Sequence, residues 1–90
     1  SYTDEEKMMI GKNYIFPKTR QLVGLKKEQL TIADDIWPTL IRPLGYDSGI
    51  RSLDRTISGM CRKVARLIVE GQAQSVSVNL ENVKKFLPEW

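Results

Sequence analysis

Four arginines give this chain its clearest potential for binding chemistry. They recur in one segment at helical spacing, as Arg51, Arg55, Arg62 and Arg66. At about 100° per residue, they fall within about 60° of one another on one face of a helix. A guanidinium stays charged at cellular pH and can donate paired hydrogen bonds to phosphate oxygens. The spacing therefore points to phosphate recognition or to a contact with another protein.

The chain lacks the residues needed for nucleophilic catalysis, for common metal sites and for a phosphate loop. The chain has no histidine, which removes Ser-His-Asp and Cys-His nucleophilic systems and ordinary His-containing metal sites. Gly11-Lys12 is followed by Asn13 and has no upstream glycine, so the sequence holds no GxxxxGK[ST] phosphate loop. We expect no catalytic residue, no metal site and no activity of the chain by itself. It could still lend residues to the active site of another domain.

Length and composition predict one small domain over residues 1–90. The chain has 14 basic and 11 acidic residues, a net charge of +3, which is modest for a nucleic-acid binder. Its one cysteine, Cys61, excludes an internal disulfide and favours a reducing intracellular setting. Neither a secretion signal nor an apolar run of about 20 residues is present. We therefore expect a protein that is neither secreted nor membrane-bound.

The strongest predicted helix runs from about Gly49 to Glu70 and stops at Gly71. Its apolar residues fall in one arc of about 120°, opposite the arginines. This arc comprises Ile50, Leu53, Ile57, Met60, Cys61, Val64, Leu67 and Ile68. Such segregation indicates a helix that buries one face. Arg51 lies in the first turn, where free amides and the helix dipole favour an anion.

Two helices are predicted at the N-terminus. Thr3-Asp4-Glu5-Glu6 has the pattern of a capping box that starts the first helix. We expect this helix to run to about Ile15 and to break at Phe16-Pro17, because proline disfavours helical geometry in the residue before it. A second short helix is expected from Lys18 to Val23, with Gly24 as its stop.

Two short strands and two further helices complete the prediction. Leu30-Thr31-Ile32 and Ser75-Val76-Ser77-Val78 alternate as half-buried strands do. A helix from Ile36 to about Arg42, capped by Asp34 or Asp35, should follow the first strand. Another, from Leu80 to about Leu87 and capped by Asn79, should follow the second. The long helical crossover permits parallel pairing. The predicted fold is mostly α, with four or five helices and a two-stranded parallel patch.

Four motifs in this order resemble the small ATPase domain of Lon-type ATP-dependent proteases. Tyr2-Thr3-Asp4-Glu5-Glu6-Lys7 is similar to the Y-T-x-E-E-K start of that domain, and Phe16-Pro17-Lys18 with Gly24-Leu25 to its L-P-K…G-L segment. Gly49 to Arg55 looks like its G-V-R-x-L-E-R signature, and Cys61 to Ala65 like its C-R-K-A block. The resemblance covers nearly the whole chain.

The resemblance implies a nucleotide-sensing lid of an AAA+ ATPase. Arg51 would be its second-sensor arginine, reaching the terminal phosphates of ATP, with Gly49 and Ile50 beside it at the nucleotide. The cofactor implied is ATP with Mg²⁺ in the full-length protein, where the large domain would bind the Mg²⁺. The partners implied are a preceding large ATPase domain, neighbouring subunits of a homo-hexamer, protein substrates and a proteolytic domain after Trp90. No nucleotide is expected to bind the lid alone. The setting implied is the bacterial cytoplasm or an organellar matrix.

The loop before the signature departs from the family pattern I-R-Y-Y-T-R-E-A-G. This chain has Ile41-Arg42-Pro43-Leu44-Gly45-Tyr46-Asp47-Ser48-Gly49. Pro43 and Gly45 should shorten or bend the preceding helix. Asp47 could pair with Arg51 when no nucleotide is bound.

Two other functions remain open from the sequence. The arginine face could make the chain a nucleic-acid-binding module, in which Arg55, Arg62 and Arg66 would track phosphates and binding would weaken steeply with salt. DNA would then be a weak partner. The same three residues could instead be a solvated face or contact a subunit or the large domain. The remaining function is a non-enzymatic adaptor domain, in which no activity would depend on Arg51.

Overall fold

Helices dominate the computed structural model, which describes residues 2–42 and 49–88. The helices are α1 (Asp4–Ile10), α2 (Phe16–Leu22), α3 (Trp37–Ile41), α4 (Ile50–Val69) and α5 (Val83–Phe86). The strands are β1 (Leu30–Ile32) and β2 (Val76–Val78). A π-helical turn (Gly11–Ile15) joins α1 to α2, and 3₁₀ turns (Lys27–Gln29 and Asp34–Ile36) precede β1 and α3. The predicted mostly α fold with a small parallel sheet is confirmed.

A capping box starts α1, as predicted. The Oγ1 atom of Thr3 accepts a hydrogen bond from the amide of Glu6 at 3.1 Å, and the Glu6 carboxylate accepts one from the amide of Thr3 at 2.9 Å. These reciprocal bonds satisfy two amides that the first turn of a helix leaves without partners. They also lower the pKa of Glu6. The largest cause is the hydrogen bond that its carboxylate accepts from the Thr3 amide, followed by the hydrogen bond with the Thr3 side chain.

The predicted break at Phe16-Pro17 is wrong. Helical backbone continues through Phe16, whose φ and ψ are −63° and −52°, into α2. The π turn explains how proline is tolerated there. The amide of Phe16 donates to the carbonyl of Gly11, five residues back, so the hydrogen-bond register has already widened before Pro17. A wider turn accommodates a residue that has no amide proton and whose ring crowds the preceding turn. Helix α2 ends at Leu22, and Gly24, with φ of 84°, follows it as the predicted stop.

The two strands pair in parallel, as predicted from the long crossover. Leu30 is opposite Val76, and Ile32 is opposite Val78. Between them, the Oγ1 of Thr31 donates a hydrogen bond to the Oγ of Ser77 at 3.0 Å on the exposed face. The buried faces carry Leu30 and Val78, which are 0% and 1% exposed. The sheet therefore closes one side of the core.

The helices that follow the strands differ from prediction at their starts. The segment before α3 begins as the 3₁₀ turn at Asp34, and no side chain caps it. After β2, Asn79 caps only a turn, because its Oδ1 accepts from the amides of Glu81 and Asn82. The Asn82 side chain in turn accepts from the amide of Asn79. This exchange consumes the residues from which a helix at Leu80 would start, so α5 begins three residues later than predicted.

Helix α4 is the central element of the core. It begins and ends as predicted, with Gly49 before its first residue and Gly71, at φ of 75°, after its end. Its buried face packs against the other helices through Leu53, Ile57, Met60, Cys61 and Val64, each 0% exposed. Trp37 of α3 lies in the same core with its ring edge against Phe16. None of the described helices has the length and apolar character needed to cross a membrane.

Some sequence predictions lie outside the described residues. These are the shortening effect of Pro43 and Gly45 and the pairing of Asp47 with Arg51.

Candidate functional site

The first turn of α4 is built on an unusual glycine. Gly49 has φ of 85° and ψ of −175°, a combination that is essentially restricted to glycine. Its carbonyl accepts the amide of Leu53 at 3.3 Å, so it starts the helical hydrogen-bond pattern. The turn contains no acidic residue, and none of the side chains in residues 2–42 and 49–88 caps it. It therefore carries the positive end of the dipole of a 20-residue helix.

Arg51 extends from this turn on the side away from the core. It is the second residue of α4 and is exposed, whereas Leu53 on the opposite face is fully buried. Among residues 2–42 and 49–88, no carboxylate forms an ion pair with its guanidinium. The side chain is thus accessible to an anion brought from outside this domain. A flanking guanidinium and helix amides together favour negatively charged oxygens.

A groove runs beside this turn, between α4 and the α1–π–α2 helices. It has a volume of about 530 Å³. Its apolar wall is formed by Ile10, Ile15, Leu22, Val23 and Ile50. The polar and charged lining is formed by Lys18, Thr19, Asp54, Ser58 and Arg62. Ile50 is half-buried between the core and this groove, so it positions the first turn of α4 through packing.

The other three arginines of α4 have different surroundings. Arg62 lines the groove and also one of two cavities further along the helix, and both of these cavities are lined by Arg66 and Lys63. Arg55 is exposed and interacts with another group of the protein. Arg51 and Arg66 are separated by about 22 Å along the helix axis, at 1.5 Å per residue. All four lie on the solvent side, as the helical spacing predicts, but their surroundings differ.

The buried thiol has no reactive environment. Cys61 is 0% exposed, and burial raises its pKa to about 11. A thiol in this state carries little thiolate and is a poor nucleophile. Within the described parts of the chain, no cluster of three or more His, Cys, Asp or Glu side chains could hold a metal ion.

Comparison with known families identifies the domain. The profile of the family described as Lon protease AAA+ ATPase lid domain matches residues 21–76, a range that contains β1, α3 and all of α4. The chain belongs to the Lon protease AAA+ ATPase lid domain family. The Lon resemblance of the sequence motifs is confirmed, and Arg51 lies within the matched range of this lid.

Curated relatives extend the similarity to almost the whole lid. A Lon protease of Desulforamulus reducens is 41% identical over 86 residues, covering 96% of this chain and 11% of that protein. A Lon protease of Rickettsia bellii is 38% identical over 87 residues, with 96% and 11% covered. A mitochondrial Lon protease homologue of Dictyostelium discoideum is 37% identical over 86 residues, with 96% and 9% covered. The lid therefore spans about a tenth of the length of these relatives.

Several contacts around the site were not foreseen from the sequence. The groove needs α1 and α2 to be continuous, which the expected break at Pro17 obscured. A bond between Arg42 and Asp4 joins residues 38 positions apart, which helical periodicity cannot reveal. Gly59 could have been recognised, because an isolated glycine inside a helical pattern can mark a close approach of another segment. It packs against Pro88.

Proposed function

We propose that this lid senses nucleotide in an ATP-dependent Lon-type protease, with Arg51 as its second-sensor arginine. The lid would close over ATP and Mg²⁺ held by a large ATPase domain. Hydrolysis would then release the grip on the terminal phosphate and let the lid rotate as a rigid body. This motion would be coupled to the unfolding and proteolysis of protein substrates.

The exposed guanidinium of Arg51 in the first turn of α4 carries the proposal. The side chain is held out because α4 begins at Ile50 and buries the opposite face in the core. Gly49 sets the direction of the chain at that point without a Cβ atom. A charge at this place can contact an anion only if another domain supplies the rest of the binding site. A lid that completes the site of a neighbouring domain has this arrangement.

The residues present fit a nucleotide phosphate. Arg51 would hold the terminal phosphate oxygens, and the amides at the start of α4 would add partial positive charge. Gly49 and Ile50 would set the approach of this turn. Bound ATP supplies a phosphoryl group whose loss removes negative charge from the reach of Arg51. The lid alone is expected to hold little nucleotide, because the phosphate loop belongs to the large domain.

The same proposal defines the partners. The lid would contact its own large ATPase domain and neighbouring subunits of a homo-hexamer, since AAA+ rings place nucleotide at subunit boundaries. Arg55, Arg62 and Arg66 are candidates for such contacts. Because the relatives include bacterial and mitochondrial Lon proteases, we propose the bacterial cytoplasm or an organellar matrix as the setting. The comparisons give no support to a stand-alone nucleic-acid-binding module.

Replacing Arg51 by Ala in the full-length protease tests the proposal. A charge-assisted hydrogen bond contributes roughly 1.5–3 kcal/mol, so we expect ATP turnover to fall about tenfold or more. Affinity for ATP should fall more than affinity for ADP, because Arg51 would contact the phosphate that ADP lacks. Steady-state ATP hydrolysis and nucleotide titration measure both effects.

Lys84→Ala is the matched control, since Lys84 is an exposed cation on α5, far along the chain from this turn. Its ATP turnover should equal that of the unsubstituted enzyme. Unchanged turnover and unchanged ATP affinity in the Arg51→Ala enzyme would exclude the sensing role.

A further inference from the structure

The segment after α5 lies directly against the backbone of α4. At Gly59, a Cβ atom would be 3.1 Å from Cβ and 3.3 Å from Cγ of Pro88, which is closer than side chains normally approach. The absence of a side chain at Gly59 therefore lets the Pro88 ring touch the helix. This contact is in the middle of α4, since Gly59 is the tenth of its 20 residues.

Lys63 fixes the same segment one turn further along α4. Its Nζ donates hydrogen bonds to the carbonyl of Leu87 at 3.1 Å and to the carbonyl of Lys85 at 3.4 Å. Between these two residues, Phe86 is 8% exposed in the core. Residues 85–88 are therefore attached to α4 by hydrogen bonds, by an aromatic side chain and by the Gly59–Pro88 contact. We call residues 85–88 the exit segment.

The charges around Lys63 indicate that the carbonyls hold it in place. Two cavities of about 330 and 320 Å³ adjoin Lys63, and their other charged lining residues are Arg62, Arg66 and Lys85. Within residues 2–42 and 49–88, no carboxylate forms an ion pair with Lys63. Like charges at this spacing repel one another. The hydrogen bonds to the carbonyls of Lys85 and Leu87 therefore hold the ammonium group of Lys63 in place.

Helix α4 rigidly joins this attachment to the proposed nucleotide contact. Gly59 and Lys63 lie about 12 Å and about 18 Å along the axis from Arg51, at 1.5 Å per residue. Both lie within one uninterrupted helix, so a rotation imposed at its first turn moves the exit segment with it.

We propose that Lys63 is a positioning residue that couples ATP hydrolysis to protein degradation. It would make the exit segment, and the polypeptide that continues from it in the full-length protease, follow the rotation of α4. This inference rests on the function proposed above, because it takes Arg51 as the point where nucleotide acts on α4. It adds how the movement of α4 would be transmitted, through Lys63 and the exit segment, to the polypeptide that follows the lid.

The test uses the full-length protease with Lys63→Met, which keeps the length of the side chain and removes its donors. ATP hydrolysis and degradation of an unfolded protein such as casein are measured in the same reactions. We expect ATP hydrolysis within about twofold of the unsubstituted enzyme and about tenfold less protein degraded per ATP, since the lost bonds are charge-assisted. Lys63→Arg keeps donors at this position and should restore most of the ratio. Lys84→Met, a lysine of α5 pointing to solvent, should leave it unchanged.

A second variant changes the contact without removing a charge. Gly59→Ala places a methyl group against Pro88, while alanine has a higher helix propensity than glycine. The ratio of degradation to ATP hydrolysis should therefore fall although the melting temperature of the enzyme does not. An unchanged ratio of degradation to ATP hydrolysis in Lys63→Met, whether both activities persist or both fall equally, would overturn the proposal. Arg51→Ala assayed alongside separates the two ideas, because its ATP turnover tests nucleotide sensing without reference to this ratio.

Discussion

Nη2 of Arg42 donates hydrogen bonds to both carboxylate oxygens of Asp4, each at 3.0 Å. Asp4 is the first residue of α1, and Arg42 directly follows α3, so the pair joins the start of the lid to the end of α3. Both side chains are 43% exposed. The interaction therefore operates in a partly aqueous environment, where its strength depends on salt.

Removing either partner should lower the free energy of unfolding of the 90-residue chain by about 0.2–1 kcal/mol, the range for exposed ion pairs. Urea unfolding of Arg42→Ala, Asp4→Ala and the double variant gives the coupling energy between the two side chains. This energy should shrink in about 1 M salt because of screening. The Lys12–Asp34 pair is the comparison, and its coupling should be smaller because Asp34 is 82% exposed. Equal coupling at low and high salt would contradict an electrostatic origin.

Gly49→Ala should destabilise the lid through backbone strain alone. A Cβ atom at Gly49 would meet nothing within 4 Å, but φ of 85° and ψ of −175° exclude ordinary side chains. Such strain costs on the order of 1–3 kcal/mol. Thermal unfolding measures the loss. Gly71→Ala, at φ of 75° and also in open space, is the matched control at the other end of α4. Both should lower stability, but only Gly49→Ala should reduce ATP turnover of the full-length enzyme, because it redirects the turn that carries Arg51.

Gly11→Ala should overpack the core beneath the π turn. The added Cβ would lie 2.8 Å from Cζ3 of Trp37 and 3.2 Å from Cδ2 of Leu53. Neither the rigid indole nor the buried leucine can yield easily, so overpacking should cost about 1–3 kcal/mol. The better helix propensity of alanine offsets up to about 1 kcal/mol of this. Denaturant unfolding should show a net loss, whereas the exposed Asn13→Ala should change stability by less than about 0.5 kcal/mol. A stabilised Gly11→Ala protein would contradict the close packing.

The capping box should make stability depend on pH through Glu6. Because the hydrogen bonds with Thr3 lower the pKa of Glu6 from its ordinary value of 4.5, folding favours the ionised carboxylate. The resulting stability is fully present above pH 4.5 and is lost as pH falls through the lower pKa of the folded state. The difference in unfolding free energy between the unsubstituted chain and Glu6→Ala should therefore be constant near neutral pH and narrow in acid.

Glu6→Gln provides the control for this titration. Glutamine keeps a hydrogen-bond acceptor for the Thr3 amide and cannot ionise. Its stability should lack the step that Glu6 contributes in acid. Urea unfolding between about pH 3 and pH 7 supplies both comparisons. A difference that widens toward low pH would contradict the assigned direction of the pKa shift.

Local patterns predicted the elements whose stabilising contacts are local. The capping box at Thr3 and Glu6 and the amphipathic pattern of α4 are properties of short segments, and both are confirmed by the fold. The parallel strands were also predicted, because the chain between them is too long for a tight hairpin. The first-turn position of Arg51 followed from the start of α4 at Gly49.

Predictions failed where hydrogen bonds outside the expected register decide the structure. Pro17 would break an ordinary α-helix. The π turn before it shifts the hydrogen bonds by one residue, so that the amide of Phe16 already donates to Gly11 and the helix continues through Pro17. Asn79 was expected to cap a helix, but its exchange of hydrogen bonds with Asn82 favours a turn. The attachment of the exit segment at Gly59 and Lys63 depends on tertiary packing. No pattern of spacing in the sequence specifies which carbonyls Lys63 reaches.

The pairing of β1 with β2 makes the lid fold as a closed unit. Thr31 and Ser77 are 46 positions apart, so α3 and α4 lie within a long loop whose ends meet at these short strands. Closing such a loop costs on the order of a few kcal/mol of chain entropy, which three residue pairs cannot offset by themselves. The strands should therefore assemble only once α4 has packed into the core. Non-local pairing of this kind should make the lid fold more slowly than a bundle of helices with local contacts, and lose its helices and sheet in one cooperative step.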